Sequence, residues 1–588
     1  FPYYERELTF IRHFAQDFAR QYPAAAGRLL LEPNRSLDPH VERLIESFAL
    51  LAARIQYKLD DDFPELTAAL LSTLYPHYLA PIPSLAMIQL VPDFEQSSLE
   101  SGFELPKHTR LRTPPVNNVR CQFRTCYPVK LWPIELSGAA LQSAPFPPGF
   151  NPPAGAVAAL RMELACHEPM HFQTLGDQRL RLHLWGDNQL VGTLYELLFN
   201  HALQVVFRPL GDGGKRPPVV LDPEDCLEQV GFGLDEGLLP YPRRSFAGYR
   251  LLTEFFSFPS KFQFVDLGGW QRLGPDFPDK LEVVVYLNRT VASVERGVNA
   301  STFRLGCTPV INLFEQTAEP IALRHSRYEY RVLPDVAAPA GFEVYSIDEV
   351  VSSDPVTFET TEYAPFYGVR HGSGDPDASA DRFWYSSRRT SEAQGDRSTD
   401  VYLSFVNRKF NPALPADPTV IVRTTCTNRN LPNQLQQAGD RLYFELDTSA
   451  PVASIRCLRT PTSPLRPPMR RGAQWNLISH LSLNYLSLAD SPEGRESLQQ
   501  ILQIYSFADP ESGQMQMAEV TRQMIDGIAA VSSRRVIARV AGAANGFCHG
   551  METTIEFDEQ RYVGNGAFLF ACVLEQFLGL YASINSFS

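Results

Sequence analysis

The string His167-Glu168-Pro169-Met170-His171 is the place where residue types and spacing could do chemistry. Read as H-E-x-x-H, it would set His167 and His171 one turn apart as zinc ligands, with Glu168 as general base for a bound water. That chemistry needs both imidazoles on one face of a helix. Pro169 stands between them and breaks the helical ladder. Leu160, Met162, Leu164 and Cys166 alternate ahead of the string as a strand does, and Phe172 continues the pattern. Two strand-end histidines are therefore expected, with a zinc metalloprotease as the remote alternative.

Other chemical strings fail on spacing. In GDGGKR (211–216) Lys215 is followed by Arg216, not Ser or Thr, and the glycines are wrongly placed for a phosphate loop. GFGLDEG (231–237) misses the dinucleotide spacing by one residue. No G-x-S-x-G elbow occurs. Cys121 and Cys126 lie five apart, with no CxxC pair to complete a zinc site. No catalytic residue, metal ligand or cofactor site is expected, and the chain does not read as an enzyme.

The elements around these strings suggest five successive regions in an α+β multidomain chain: a helical N-terminus, a β-rich, proline-containing middle and an α+β C-terminal domain. In the helical region, 1–84, Leu8, Ile11, Phe14, Ala15, Phe18 and Tyr22 recur at three- and four-residue spacing. Phe10 widens that stripe. Asp38 before Pro39 reads as a cap and first-turn proline, opening a stripe of Val41, Leu44, Ile45, Phe48, Leu51, Ala52, Ile55 and Leu59. Region 85–247 carries strand patterns and a proline- and glycine-rich loop at 138–155. Leu194 to Val206 fits helix followed by strand without deciding the boundary.

Region 248–335 is aromatic. Its opening, GYRLLTEFFSFPSKFQFVDL (248–267), carries more ring surface than one strand face can bury. Leu281 to Leu287 reads as a buried strand, and Tyr328, Tyr330 and Val332 alternate with Arg327, Glu329 and Arg331. Region 336–474 holds short strands and a polar stretch, 371–400, in which Phe383, Trp384 and Tyr385 form a docking point for a partner. Region 475–588 combines helices through Leu498, Ile501, Leu502 and Tyr505 with alternating segments. It closes on a nearly all-apolar helix, Gly566 to Tyr581, that must be buried.

Bulk properties narrow the function. Hydrophobic content of 44% and charged content of 20% are those of a folded chain, and 588 residues exceed a single core. The 47 prolines, about 8% against a typical ~5%, predict many irregular connections. A net charge of −13 gives no basic surface for phosphate backbones, so nucleic acid is not an expected partner. Nine cysteines without a framework fit a reducing compartment. No signal peptide pattern opens the chain, and the longest apolar run, 567–574, falls short of the ~20 residues of a membrane helix. A soluble, cytoplasmic protein without direct membrane insertion is expected.

Several long runs carry a family resemblance: YYERELTFIRHFAQDFARQYP (3–23), DPHVERLIESFALLAARIQYKLDDDFPELTAALLSTLYPHYLAPIPS (38–84), the strings at 248–267 and 307–335, and EFDEQRYVGNGAFLFACVLEQFLGLYASINSF (556–587). In these the sequence resembles the TssF (ImpG/VasA) family of type VI secretion baseplate wedge subunits. The resemblance implies a structural subunit paired as two copies with a TssG-like protein, sharing N-terminal helices in a bundle. It also implies contacts with TssK, TssE and a VgrG-like spike, support for contractile sheath assembly, and a place in a baseplate docked to an inner-membrane complex. A wedge protein of a contractile phage tail or tailocin is the near alternative, and an exported carbohydrate-binding β protein a further one.

The expected interface residues fall in three groups: Leu8, Phe10, Ile11, Phe14 and Phe18 on the first helix; Tyr249, Phe255, Phe256, Asn312, Phe314, Glu315, Tyr328, Tyr330 and Arg331 in the central region; and Phe383 and Trp384 beyond it. The underlying expectation is surplus apolar and aromatic surface, hidden against neighbours.

Overall fold

The computed structural model describes residues 2–30, 36–60, 64–96, 99, 101–210, 216–242, 245–274, 277–323, 327–353, 360–367, 382–393, 395–407, 419–435, 442–467, 478, 494–505, 515–539, 547–562 and 566–581. The chain divides into two compact units. Phe1–Leu79 carries the first, and Ala80–Pro467 with Leu483–Ser588 the second.

The first unit is helical, as its three- and four-residue apolar spacing predicts. Helices span Pro2–Gln21, Pro23–Arg28, Pro39–Asp60 and Pro64–Leu74. The Asp38 carboxylate accepts the His40 N–H at 2.8 Å, so the expected cap forms ahead of Pro39. Helices Pro2–Gln21 and Pro39–Asp60 pack together, joined by an ion pair from Arg12 to Glu42 at 2.7 Å. The second oxygen of Glu42 accepts the Ser36 N–H at 2.7 Å. Among the described side chains of the second of these helices, small Ala49 and Ala53, four residues apart, are the buried ones, and the large apolar ones Leu44, Phe48, Leu51 and Ile55 are exposed.

The second unit is built on mainly antiparallel sheets, with one parallel pair between Ala364–Pro365 and Arg382–Thr390, and their strand order ignores the sequence order of the expected regions. Its six-stranded sheet runs, in order, Glu445–Leu446, Arg110–Val116, Val119–Thr125, Cys307–Ile311, Leu85–Pro92 and Val452–Arg459. A five-stranded sheet runs Val219–Leu221, Ala202–Pro209, Lys280–Leu287, Ala158–Cys166 and Ile134–Ser143. Boundaries drawn at 247/248 and 335/336 therefore do not separate sheets: strands on either side of each pair directly. Lys280–Leu287 is buried along its length after Lys280, Glu282 included, whose carboxylate pairs with Arg161 and Arg208. Asn188–Asn200 is helix and Ala202–Pro209 strand, which decides the boundary left open by periodicity.

Two expectations are corrected by this architecture. Residues 247–257 form an α-helix, Ala247–Ser257, not a strand; only Phe264–Leu267 of that stretch is strand. Adjacent Phe255 and Phe256 lie on one broad helical face, which period-two alternation could not give. Phe383, Trp384 and Tyr385 belong to the strand Arg382–Thr390, paired along its length with Thr399–Asn407, not to a polar loop. The preceding part of that stretch, 371–381, lies outside the described residues.

Helix Ala247–Ser257 is buried on every side. Its polar side chains therefore need internal partners. Glu254 accepts the backbone N–H groups of Leu238 and Leu239 at 2.7 and 2.9 Å through one oxygen. Its other oxygen meets the Lys261 ammonium, and both side chains are fully buried. Lys261 also donates to the Glu236 carbonyl at 3.3 Å, and its own carbonyl accepts the Tyr127 hydroxyl at 3.0 Å. Arg250 donates to the Leu234 and Gly233 carbonyls at 2.9 and 3.1 Å. Burial pulls the Lys261 ammonium below the usual lysine range even though Glu254 opposes the shift.

Two measurements probe this core. Lys261→Met strands a buried carboxylate and should cost about 3–5 kcal/mol in urea unfolding. The double variant Lys261→Met/Glu254→Gln keeps an amide oxygen for both backbone groups and should recover most of that loss. His183 supplies a pH test. Its Nδ1 donates to the Gln263 carbonyl at 2.9 Å, and burial, with Arg459 and Arg304 nearby, pulls its pKa down from 6.5 to about 3. The folded chain then resists a proton that the unfolded chain takes up. Stability should be whole above the unfolded pKa of 6.5 and fall with acidification toward pH 3, by up to roughly 1.4 kcal/mol per pH unit. His183→Gln should flatten that part of the slope.

Candidate functional site

The geometry of residues 167–171 does not assemble a metal centre. Strand Ala158–Cys166 ends immediately before His167, as the alternation predicts. The His167 ring stacks on Phe94 with centroids 4.2 Å apart, and its Nε2 lies 3.6 Å from Glu135. His171 precedes the short 3-10 helix Phe172–Leu175 and turns its Nδ1 to Asp279 at 2.5 Å. Each imidazole thus has its own carboxylate neighbour on a different segment. Cys121 and Cys126 are no better placed for metal chemistry. Burial pushes both thiols up to about 12, whereas a ligand must be thiolate.

Several expected contact residues in the central region are covered by the chain itself. Phe255 stacks on Phe570 of the C-terminal helix Ala567–Tyr581 at 5.4 Å. Phe256 stacks on Tyr505 at 6.2 Å, and Tyr249 meets Phe577 at 5.9 Å. The helices cross so closely that a Cβ on Gly248 would stand 2.9 Å from Phe577. The excess ring surface is real along the sequence, but the last helix absorbs it. Tyr249, Phe255 and Phe256 are buried here and offer no face to a neighbour in this structure.

Asn312 is likewise internal. Its Oδ1 accepts the Asn428 N–H at 2.7 Å, while its Nδ2 donates to the Asn428 Oδ1 at 2.8 Å and the Gln122 carbonyl at 2.7 Å. Asn428 Oδ1 also accepts the Gln122 N–H at 2.8 Å. The reciprocal clamp ties three distant chain segments, so a buried Asn at the break between strands Cys307–Ile311 and Phe314–Thr317 marks internal wiring. Phe314 is buried against Phe342, whereas Glu315 beside it is exposed.

The remaining positions lie at or near the surface. Tyr328 is 83% exposed. Tyr330 is half-buried beside Phe405, and Arg331 pairs with Asp400 at 2.9 Å. Phe383 is buried, and Trp384 half-buried against the same cluster. Tyr330, Arg331, Phe383 and Trp384 share one sheet, and Tyr328 lies just outside it.

The broadest apolar exposure lies in the first unit. Phe10 and Phe14 are 66% and 65% exposed, while Leu8, Ile11 and Phe18 are half-buried. On helix Pro39–Asp60, Leu44, Phe48, Leu51 and Ile55 are each 60–70% exposed. Their 4-3-4 spacing is a seam of the kind that packs against a further helix. Periodicity alone places these four in the apolar stripe. It cannot tell which part of so wide a stripe the neighbouring helix covers.

A family description, type VI secretion system, TssF, matches residues 1–588. The chain belongs to the TssF family. It is 35% identical, over 613 aligned positions, to the type VI secretion system component TssF1 of Pseudomonas aeruginosa, covering 100% of this chain and 95% of that protein. It is similar to a chain of a solved type VI TssK-TssF-TssG baseplate subcomplex at 28% identity and a TM-score of 0.73, with 93% of this chain and 94% of that chain covered. A chain of a solved type VI baseplate complex shares the fold at 24% identity and a TM-score of 0.61, covering 99% of this chain and 94% of that one. For this TssF-family chain no helix among the described residues is long and apolar enough to cross a membrane.

The asparagine clamp is directly testable. Asn312→Ala leaves Asn428 and Gln122 with unanswered buried groups and should cost about 1–3 kcal/mol. Urea unfolding of the variant against the parent chain measures that loss.

Proposed function

We propose that this chain is a non-catalytic structural subunit of a type VI baseplate wedge, assembling as two copies with one TssG-like protein. The observation that carries the reading is the seam Leu44, Phe48, Leu51 and Ile55 on helix Pro39–Asp60, together with Phe10 and Phe14 on its neighbour. Large apolar side chains at helical spacing stand in solvent, while Ala49 and Ala53 of the same helix are buried. Leaving that area wet forgoes about 25 cal/mol for each Å² that a partner could cover. An amphipathic helix of another subunit fits the spacing, and the membership and likeness above point to TssG as its source. Leu8, Ile11 and Phe18 would flank that contact. Tyr328, Arg331 and Trp384 belong to a second surface for TssK, TssE or the VgrG spike. In that setting the wedge supports sheath assembly from the cytoplasmic side, in a baseplate docked to the inner-membrane complex.

Co-expression with the TssG-like protein of the same system tests the reading. A complex with the mass of two copies to one partner is expected. Phe48→Asp and Phe14→Asp should each weaken it roughly tenfold or more, as truncation of a buried aromatic anchor does, while the melting profile of the isolated chain stays unchanged. Undiminished co-purification of both variants would remove the helical seam from the interface.

A further inference from the structure

We propose that the two-stranded ribbon Ile528–Arg539/Phe547–Phe557 is a strand-pairing site for the same ribbon of a second copy of this chain. The two strands pair antiparallel over almost their full length, from Ile528↔Phe557 to Arg539↔Phe547. Among the described residues neither joins a third strand. Among the described residues the ribbon's hydrogen bonds to the rest of the unit fall at its base, where Gln499 donates to the Ile528 carbonyl at 3.3 Å and Arg495 to the Ala529 carbonyl at 3.3 Å. Beyond that base the ribbon has no fully buried side chain among those described, and Ile537 is 64% exposed. A two-stranded sheet is marginal by itself, and its outer backbone groups are a template for another strand.

The charges choose the occupant. Strand Ile528–Arg539 carries arginines and no acid; strand Phe547–Phe557 carries glutamates and neither Lys nor Arg. Within one copy Arg534 and Glu552 already pair across the ribbon. Joining two copies through the same strand gives neither Arg534 nor Glu552 an oppositely charged partner, because each strand carries one sign only, and registers that oppose like charges are unfavourable. Joining the basic strand of one copy to the acidic strand of the next repeats the register the ribbon already uses. Arg534 then meets a second Glu552 on one face, and Val531 meets a second Ile555 on the other. Such a contact is head-to-tail, so association begins with a dimer and proceeds until geometry closes it.

Light scattering on the full chain over a range of protein and salt concentrations provides the test. Reversible, concentration-dependent association is expected, weakened by salt because the paired charges are exposed. Two charge-reversed chains, Arg534→Glu/Arg535→Glu and Glu552→Arg/Glu556→Arg, should each associate at least about tenfold more weakly than the parent. Mixed in equal amounts they should associate again, since each supplies the strand the other lacks. A chain that stays monomeric throughout would overturn the proposal. So would association indifferent to charge reversal, or reversed chains that fail to recover on mixing. Strand addition by an acidic segment of a different protein onto a monomeric chain would also overturn it.

Discussion

A carboxylate with no access to water organises the second unit. Glu254 is held by the consecutive backbone amides of Leu238 and Leu239 on one side of its helix and by the Lys261 ammonium on the other side in sequence. An ionised side chain at that depth survives only when its oxygens are fully answered. Leu238, Leu239 and Lys261 must therefore all arrive before helix Ala247–Ser257 can sit inside the protein. Tyr127 then locks onto the Lys261 carbonyl and brings the neighbouring six-stranded sheet with it. The same logic recurs at Glu343. Burial pushes its carboxyl up, but hydrogen bonds from Arg466 and Thr399 outweigh that and hold it below the usual range. In both places a single buried acid joins segments that sheet pairing alone would leave independent.

The contrast between the two units explains how one chain can be both self-contained and made for assembly. In the second unit the C-terminal helix Ala567–Tyr581 supplies Phe570 and Phe577 to rings more than three hundred residues earlier in the chain, and the apolar surplus disappears. In the first unit helices Pro2–Gln21 and Pro39–Asp60 pack together, Ala49 and Ala53 are buried, and Phe10, Phe14, Leu44, Phe48 and Leu51 stay exposed. Surplus surface is therefore located by packing, not by composition. The aromatic region that looks sticky in sequence is sealed, and the moderately amphipathic helices are open.

Much of the secondary structure was legible because its signals are local. The cap at Asp38 and Pro39, the alternation ending at Cys166 and the buried run Leu281–Leu287 all appear where residue spacing puts them. Helix Ala247–Ser257 shows its period in Arg250, Thr253, Glu254 and Ser257, but the density of rings reads as a strand face instead, and burial hides those polar groups inside the fold. The strand through Phe383 was misread because its long partner, Thr399–Asn407, lies beyond a polar connection, and its short one, Ala364–Pro365, lies well before it in the chain. Asn312 looked like a surface signal inside an apolar run; its partners Gln122 and Asn428 are invisible from its neighbours.

From residue order alone came the family, the absence of an assembled H-E-x-x-H helix across Pro169, and the division into helical, β-rich and mixed stretches. Each depends on a residue and those within a few places of it, or on long runs of residues in order. Only the folded chain decided which apolar groups are spent internally, because burial is a property of pairs of distant segments. Whether Phe255 or Phe48 stays wet depends on where Phe570 and Ala49 land, and no local spacing contains that information.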